Sequence, residues 1–149
     1  MSNESHGGKT GFVLHVEDNG DHADLVQRCL TRYRPERRVV RVEDGEAALE
    51  YLAKCDTDGR RPMLILLDLR LPKLDGIDVL RAVKTDPELA AIPVVVLTTS
   101  DSASDIARAY QNHVNSYLVK PDDFVLLDSM MRDLGDYWLG WNVQPGGVP

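Results

Sequence analysis

The sequence predicts an α/β protein, a single domain built on a five-stranded parallel sheet with helices on both faces. Three observations predict it. Strand-like and helix-like segments alternate along the chain. The runs Met63-Leu64-Ile65-Leu66-Leu67 and Val94-Val95-Val96-Leu97 are apolar without alternation, the pattern of strands buried on both faces. Several of the strand-like runs stop on acid, hydroxyl or ammonium groups, and one edge of a parallel sheet would gather those ends.

The elements follow in order. Phe12 to Val16 is the first strand, and an amphipathic helix runs from Asp21 to Tyr33. Val39 to Val42 is a short second strand. Asp44-Gly45 turns the chain into a helix over Glu46 to Lys54, carrying Ala47, Leu49, Tyr51 and Leu52. The third strand is Met63 to Asp68. A loop over Pro72 to Gly76 leads to a short helix, Ile77 to Lys84. Pro93 to Thr98 is the fourth strand. Ser102 to Asn112 is a helix whose Ser102 and Asp105 have capping-box spacing. Ser116 to Lys120 is the fifth strand. Asp122-Asp123 place negative charge at the start of a last helix that runs to Trp138. On that helix Phe124, Leu127, Met131, Leu134 and Trp138 form a stripe for the core. Leu126, Met130 and Tyr137 form a second stripe expected to face outward.

Composition narrows the function. The chain has 149 residues, enough for one domain with a real core, and a net charge of -7, which argues against a general nucleic-acid binder. No apolar run reaches the roughly 18 residues of a membrane span. Residues 1–10 are polar and lack the apolar core of a signal peptide, so they read as a flexible leader of a cytoplasmic protein. Residues 11–139 form the domain and 140–149 a tail with Gly, Pro and Asn. Cys29 and Cys55 make no metal or redox motif, and Cys29 has the spacing of a core thiol. Arg32, Arg34, Arg37, Arg38 and Arg41 cluster around the first helix–strand connection, a solvated loop or a contact for an acidic partner. His6, His15, His22 and His113 have no ligand-like spacing, and no metal is assigned to them.

The strand ends carry the chemistry. Glu17-Asp18, Asp68, Thr98 and Lys120 follow the first, third, fourth and fifth strands. Clustered carboxylates repel one another, and a hard divalent cation relieves this; Mg²⁺ fits because it keeps waters and takes one or two carboxylates. A hydroxyl and an ammonium beside the cation would hold an anionic group, and a carboxylate can itself act as nucleophile to form an aspartyl phosphate. Taken singly, each residue has an ordinary reading: a helix cap for Asp18, a solvated lysine for Lys120, a strand-end hydroxyl for Thr98. Their occurrence at successive strand ends is what argues for a site.

These residues, with Asp68-Leu69-Arg70-Leu71-Pro72-Lys73-Leu74-Asp75-Gly76, Val94 to Thr98 and Tyr117 to Pro121, resemble the response-regulator receiver domains of the CheY-like fold. The resemblance covers Gly11 to Trp138. It implies a flavodoxin-like, doubly wound sheet of order 2-1-3-4-5. It makes Asp68 the phosphoacceptor, Asp18 a direct Mg²⁺ ligand, Glu17 a ligand through water, and the backbone carbonyl of Arg70 a further ligand. Thr98 and Lys120 would meet the phosphoryl group, and Tyr117 would turn inward as Thr98 moves. Arg70 and Ser100 stand where the family tunes dephosphorylation; Arg70 would pair with the phosphoryl anion or with Glu17. The Lys120-Pro121 peptide matches one that is cis in the family. More narrowly, Leu97-Thr98-Thr99-Ser100, His113-Val114-Asn115-Ser116-Tyr117 and Tyr137-Trp138-Leu139 resemble the single-domain regulators of phytochrome histidine kinases; the usual receiver has Gly-Ala at His113-Val114-Asn115.

The function so implied is a phosphorelay receiver, phosphorylated by a sensor histidine kinase of bacteriophytochrome type and without independent substrate turnover. No helix-turn-helix or catalytic output domain follows, so the output is expected to be protein–protein contact. Expected partners are that kinase, an unknown downstream protein and a second copy docked through the fourth helix, fifth strand and last helix, including Leu126, Met130 and Tyr137. Neither nucleic acid nor membrane is expected. Three other readings compete. A phosphatase-like hydrolase would want a second acid two residues after Asp68, where Arg70 stands. A flavodoxin-like cofactor binder would want a phosphate loop where Glu17-Asp18-Asn19 is acidic. A docking module that is never phosphorylated would not need the full residue set.

Overall fold

The computed structural model describes residues 11–58 and 60–145, with 56–58 described by backbone alone. The expected leader, 1–10, and the end of the expected tail, 146–149, lie outside the described residues. The strands are β1 (Phe12–Val16), β2 (Arg38–Val42), β3 (Leu64–Leu67), β4 (Val94–Thr98) and β5 (Ser116–Val119). The helices are α1 (Gly20–Tyr33), α2 (Gly45–Asp58), α3 (Gly76–Thr85), α4 (Ala103–Gln111) and α5 (Phe124–Asp136), followed by a π-helical turn at Tyr137–Trp141.

The strands pair in the order β2-β1-β3-β4-β5, and every pairing is parallel. The order reverses at β1, which lies between β2 and β3, so the carboxyl ends of β1 and β3 flank the crevice where such sheets hold ligands. β1, β3 and β4 are buried along their whole length, as their unbroken apolar runs require.

Side-chain alternation divides the core into two layers. Leu14, Val16, Ile65, Leu67, Val94 and Val96 pack on one face with Ala48 of α2, Ile77, Leu80 and Val83 of α3 and Ala109 of α4. Val13, Leu64, Leu66, Val95 and Leu97 pack on the other with Val26, Cys29 and Leu30 of α1 and Leu127, Met131 and Leu134 of α5.

Helix ends follow local chemistry. Asn19, Asp75, Ser102 and Asp123 each cap a helix by accepting from a backbone N–H of its first turn. The capping box expected at Ser102 and Asp105 is half made. Ser102 Oγ accepts from Asp105 N at 3.0 Å, but the Asp105 carboxylate turns away to Ser100 and Arg70, a charge-assisted partner. α2 runs about a turn beyond its expected end at Lys54. α5 ends at Asp136, and Trp138 packs from the π-helical turn.

Three expectations change. Phe124, assigned to the core stripe, is 48% exposed. It is the first residue after the Asp123 cap, and burial on this face begins one turn later at Leu127. Met130, assigned outward, is partly buried against the α1–α5 layer, whereas Leu126 and Tyr137 are exposed as expected. The Lys120-Pro121 peptide is trans; the two isomers of an X-Pro bond differ by only about 0.5–1 kcal/mol, so the residue pair alone does not fix the isomer.

The basic cluster is drawn largely into the protein's own contacts. Arg32 and Tyr33 bond Asp128 of α5, Arg34 pairs with Asp136, and Arg41 Nε donates to the carbonyl of Glu17. Of the expected tail, Asn142 N bonds the carbonyl of Tyr137 and Gln144 donates to the carbonyl of Met63.

Candidate functional site

The carboxyl ends of β1, β3, β4 and β5 meet at one edge. The backbone sets the distances before any side chain is placed: Asp68 N bonds Val16 O at 3.1 Å, Glu17 N bonds Val42 O at 3.0 Å, and Lys120 N bonds Thr98 O at 2.7 Å. Parallel register therefore carries β1's acids, Asp68, Thr98 and Lys120 to one edge of the sheet, Thr98 and Lys120 lying one and two residues beyond the level of Asp68.

Gly76 makes a close approach possible. A Cβ there would collide with the Asp68 carbonyl oxygen and the Leu69 Cα, so only glycine lets the start of α3 lie against this backbone. In the loop between, Lys73 takes a positive φ of 67°.

Carboxylate oxygens of Glu17, Asp18 and Asp68 lie within 4.8 Å of one another. Glu17 and Asp68 are buried, and Asp18 is exposed. Lys120, also buried, donates to Glu17 Oε1 at 2.6 Å and to Asp68 Oδ2 at 3.3 Å. Asp68 Oδ1 accepts from Arg70 N at 3.1 Å, which sets the Arg70 peptide beside it. Burial pushes the Glu17 carboxyl above its usual range; the Lys120 hydrogen bond opposes this and the nearby Asp68 charge adds to it. Lys120 thus pairs with two of the three clustered carboxylates. The donor set, hard oxygens with excess negative charge, fits a divalent cation.

Thr98 and Tyr117 both bond the main chain of Ser100. Thr98, fully buried, accepts at Oγ1 from Ser100 N at 3.3 Å, and Tyr117 OH donates to the Ser100 carbonyl at 2.9 Å. A displacement of Thr98 would disturb the peptide on one side of Ser100 while Tyr117 holds the next peptide on the other.

The Arg70 side chain bonds neither Glu17 nor Asp68. Its Nη2 pairs with Asp105 Oδ2 at 2.6 Å, and Ser100 Oγ donates to the same oxygen at 2.6 Å. Asp105 is buried at the start of α4. Sequence reasoning read it only as a cap; its position five residues after Ser100, on the first turn of a helix above the sheet edge, was the available signal.

His22 was also passed over. Its Nδ1 lies 3.1 Å from Lys120 Nζ. The signal was its position three residues after the Asn19 cap, on the first turn of α1 facing the same edge. His15 of β1 is buried, and neither ring nitrogen has a hydrogen-bond partner among the described residues.

Comparison with known proteins agrees with this geometry. The family model described as the response regulator receiver domain matches residues 13–132. The probable methanogenesis regulatory protein FilR2 of Methanothrix harundinacea is 51% identical over 136 residues, covering 91% of this chain and 88% of FilR2. Response regulator Rcp1 of Synechocystis is 40% identical over 141 residues, covering 93% of this chain and 95% of Rcp1. The crystal structure of its Mn²⁺-bound form matches with a TM-score of 0.83 at 38% identity, over 91% of this chain and 99% of that one. The phosphorylated cyanobacterial phytochrome response regulator RcpA matches with a TM-score of 0.86 at 39% identity, over 91% of this chain and 99% of that one. No described helix is long and apolar enough to cross a membrane. With its parallel order 2-1-3-4-5 and its acid, hydroxyl and ammonium groups at one sheet edge, the chain belongs to the response-regulator receiver family.

Proposed function

We propose that Asp68 accepts a phosphoryl group from a phosphohistidine of a sensor kinase, with Mg²⁺ bound at Asp18 and Asp68 and, through water, at Glu17, and that the phosphorylated protein signals by protein contact. The observation that carries this is a buried Asp68 that bonds Lys120 and lies within 4.8 Å of the acidic pair. An Asp68 oxygen forms the new O–P bond, the phosphohistidine N–P bond breaks, and the imidazole keeps the electron pair. Mg²⁺ would be held by the acidic side chains, with the Arg70 carbonyl and waters completing its shell, and would offset charge on the transferring oxygens. Lys120 donates to the phosphoryl oxygens, and Thr98 moves to meet them, drawing on the main chain of Ser100, which Tyr117 also bonds.

The chain has no independent substrate in this reading and acts in the cytoplasm. The likeness to Rcp1 and RcpA supports a phytochrome-type kinase as donor. An exposed apolar surface at Val119, Phe124, Val125 and Leu126, with Tyr110 of α4, supports a homodimer through α4, β5 and α5. Light scattering that gives a monomer with and without a phosphoryl mimic rules the dimer out. For the acceptor, the test is Asp68→Asn: the variant folds and takes no label from acetyl phosphate and Mg²⁺. Labelling at the wild-type level assigns the phosphoryl group elsewhere.

A further inference from the structure

Two observations place Arg70 between two anions. Its backbone N–H is hydrogen-bonded to Asp68 Oδ1, so the residue is anchored at the acceptor. Its guanidinium points instead to Asp105 on α4, at 2.6 Å, while 63% of the side chain stays exposed. The side chain is therefore tethered at one end and open to solvent along most of its length.

Asp105 is well provided for without it. The Ser100 hydroxyl donates to the same oxygen, and Arg108 Nη1 stands 3.9 Å from the other. Losing Arg70 would leave Asp105 one hydrogen bond and a second guanidinium within reach. A phosphoryl group on Asp68 brings close to two negative charges, more than one carboxylate offers.

We propose that Asp105 is a positioning residue for Arg70: it holds the guanidinium away from Asp68, and phosphorylation transfers Arg70 from Asp105 to the phosphoryl group. The inference rests on Asp68 being the acceptor. The exchange does two things. It lays a guanidinium across the phosphoryl group, which shields the phosphorus from the water whose attack would break the Asp68 O–P bond. It also unties α4 from the loop after β3, while the Ser100 end of the same network is drawn on by Thr98. The phosphoryl lifetime is then set by competition between two anions for one cation.

The test uses the full chain labelled with radioactive acetyl phosphate, with the half-life followed after the phosphodonor is removed. Asp105→Asn should lengthen the half-life roughly two- to fivefold, the range open to a partly exposed ion pair. In an Arg70→Ala background the same substitution should change nothing. An unchanged half-life in folded Asp105→Asn overturns the proposal, as does a lengthening that persists without Arg70. A direct measurement guards against a misfolded variant: the Arg70 Nε–H resonance of the wild-type protein should shift on phosphorylation, and a resonance that stays in place also overturns the exchange. Wild-type protein in which Asp68 takes no label overturns the acceptor reading itself, a result distinct from these.

Discussion

Lys120 stands closer to Glu17 than to Asp68, at 2.6 Å against 3.3 Å. The ammonium is therefore chiefly the counter-charge of a buried carboxylate, and Asp68 shares it. Removing one partner of a buried pair leaves the other uncompensated, at a cost of about 3–5 kcal/mol. Burial already raises the Glu17 carboxyl, and the Lys120 hydrogen bond is what opposes the rise. Lys120→Met removes that opposition, so folded Glu17 binds a proton well above the 4.5 of an ordinary glutamate. A raised carboxylate value weakens the fold as pH climbs. Lys120→Met is thus expected to lose about 3 kcal/mol at pH 8 and much less at pH 5. Urea unfolding in metal-free buffer at the two pH values checks it; an equal loss at both contradicts the pairing.

Gly76 carries a second prediction. A methyl group at this position meets backbone, the Asp68 carbonyl oxygen and the Leu69 Cα, and backbone cannot rotate aside. Gly76→Ala should therefore cost about 1–3 kcal/mol, as overpacking does. It should also displace the Asp68 main chain and cut Mg²⁺-dependent labelling. Gly20→Ala is the control, because its nearest contact is an Arg41 guanidinium nitrogen at 3.9 Å. A Gly76→Ala protein with wild-type stability and labelling shows that the loop accommodates the methyl group.

His113 follows α4 with φ at 67°, the left-handed region that favours glycine. Its backbone N–H bonds Tyr110 O, and its side chain is exposed. His113→Gly relieves the clash of Cβ with the following carbonyl, worth about 1–2 kcal/mol, against a Gly entropy cost of about 0.5–1 kcal/mol. The expected net is a gain of about 0.5 kcal/mol, seen as a small rise in thermal midpoint. A fall would mean that the His113 side chain makes a contact worth more than the strain.

The parts of the fold that were legible in the sequence are those fixed by local pattern. The apolar runs at Leu64 to Leu67 and Val94 to Leu97 have no exposed face, so they had to be central strands. Ser102 and Asp123 announced helix starts because each supplies an acceptor for a local N–H, whereas the caps Asn19 and Asp75 were not read. The cluster of Glu17, Asp18 and Asp68 was visible because parallel strands share one carboxyl edge. Asp105 and His22 were less visible. Their partners, Arg70 and Lys120, lie 35 and 98 residues away in the chain, so neither contact leaves a periodic trace. Phe124 misled because stripe counting ignores where a helix meets the core.

His15 makes the last prediction. Its ring is buried on β1 without a hydrogen-bond partner among the described residues, and burial pushes its value from 6.5 down to about 3, with the Lys120 charge adding to the fall. The folded protein therefore keeps His15 neutral where the unfolded chain is protonated. Above pH 6.5 neither state binds the proton; as pH falls toward 3 the unfolded state gains protons and stability is lost. His15→Leu fills a similar volume and removes the titration. It should raise stability at pH 7.5 by about 1 kcal/mol, the lower end of the cost of an unsatisfied buried polar group. It should also flatten the decline between pH 6.5 and pH 4.5, above the range in which the carboxylates dominate. Urea unfolding of both proteins across that interval in metal-free buffer decides it. Parallel declines would mean that the ring finds a proton acceptor at acid pH and that its burial carries no acid penalty.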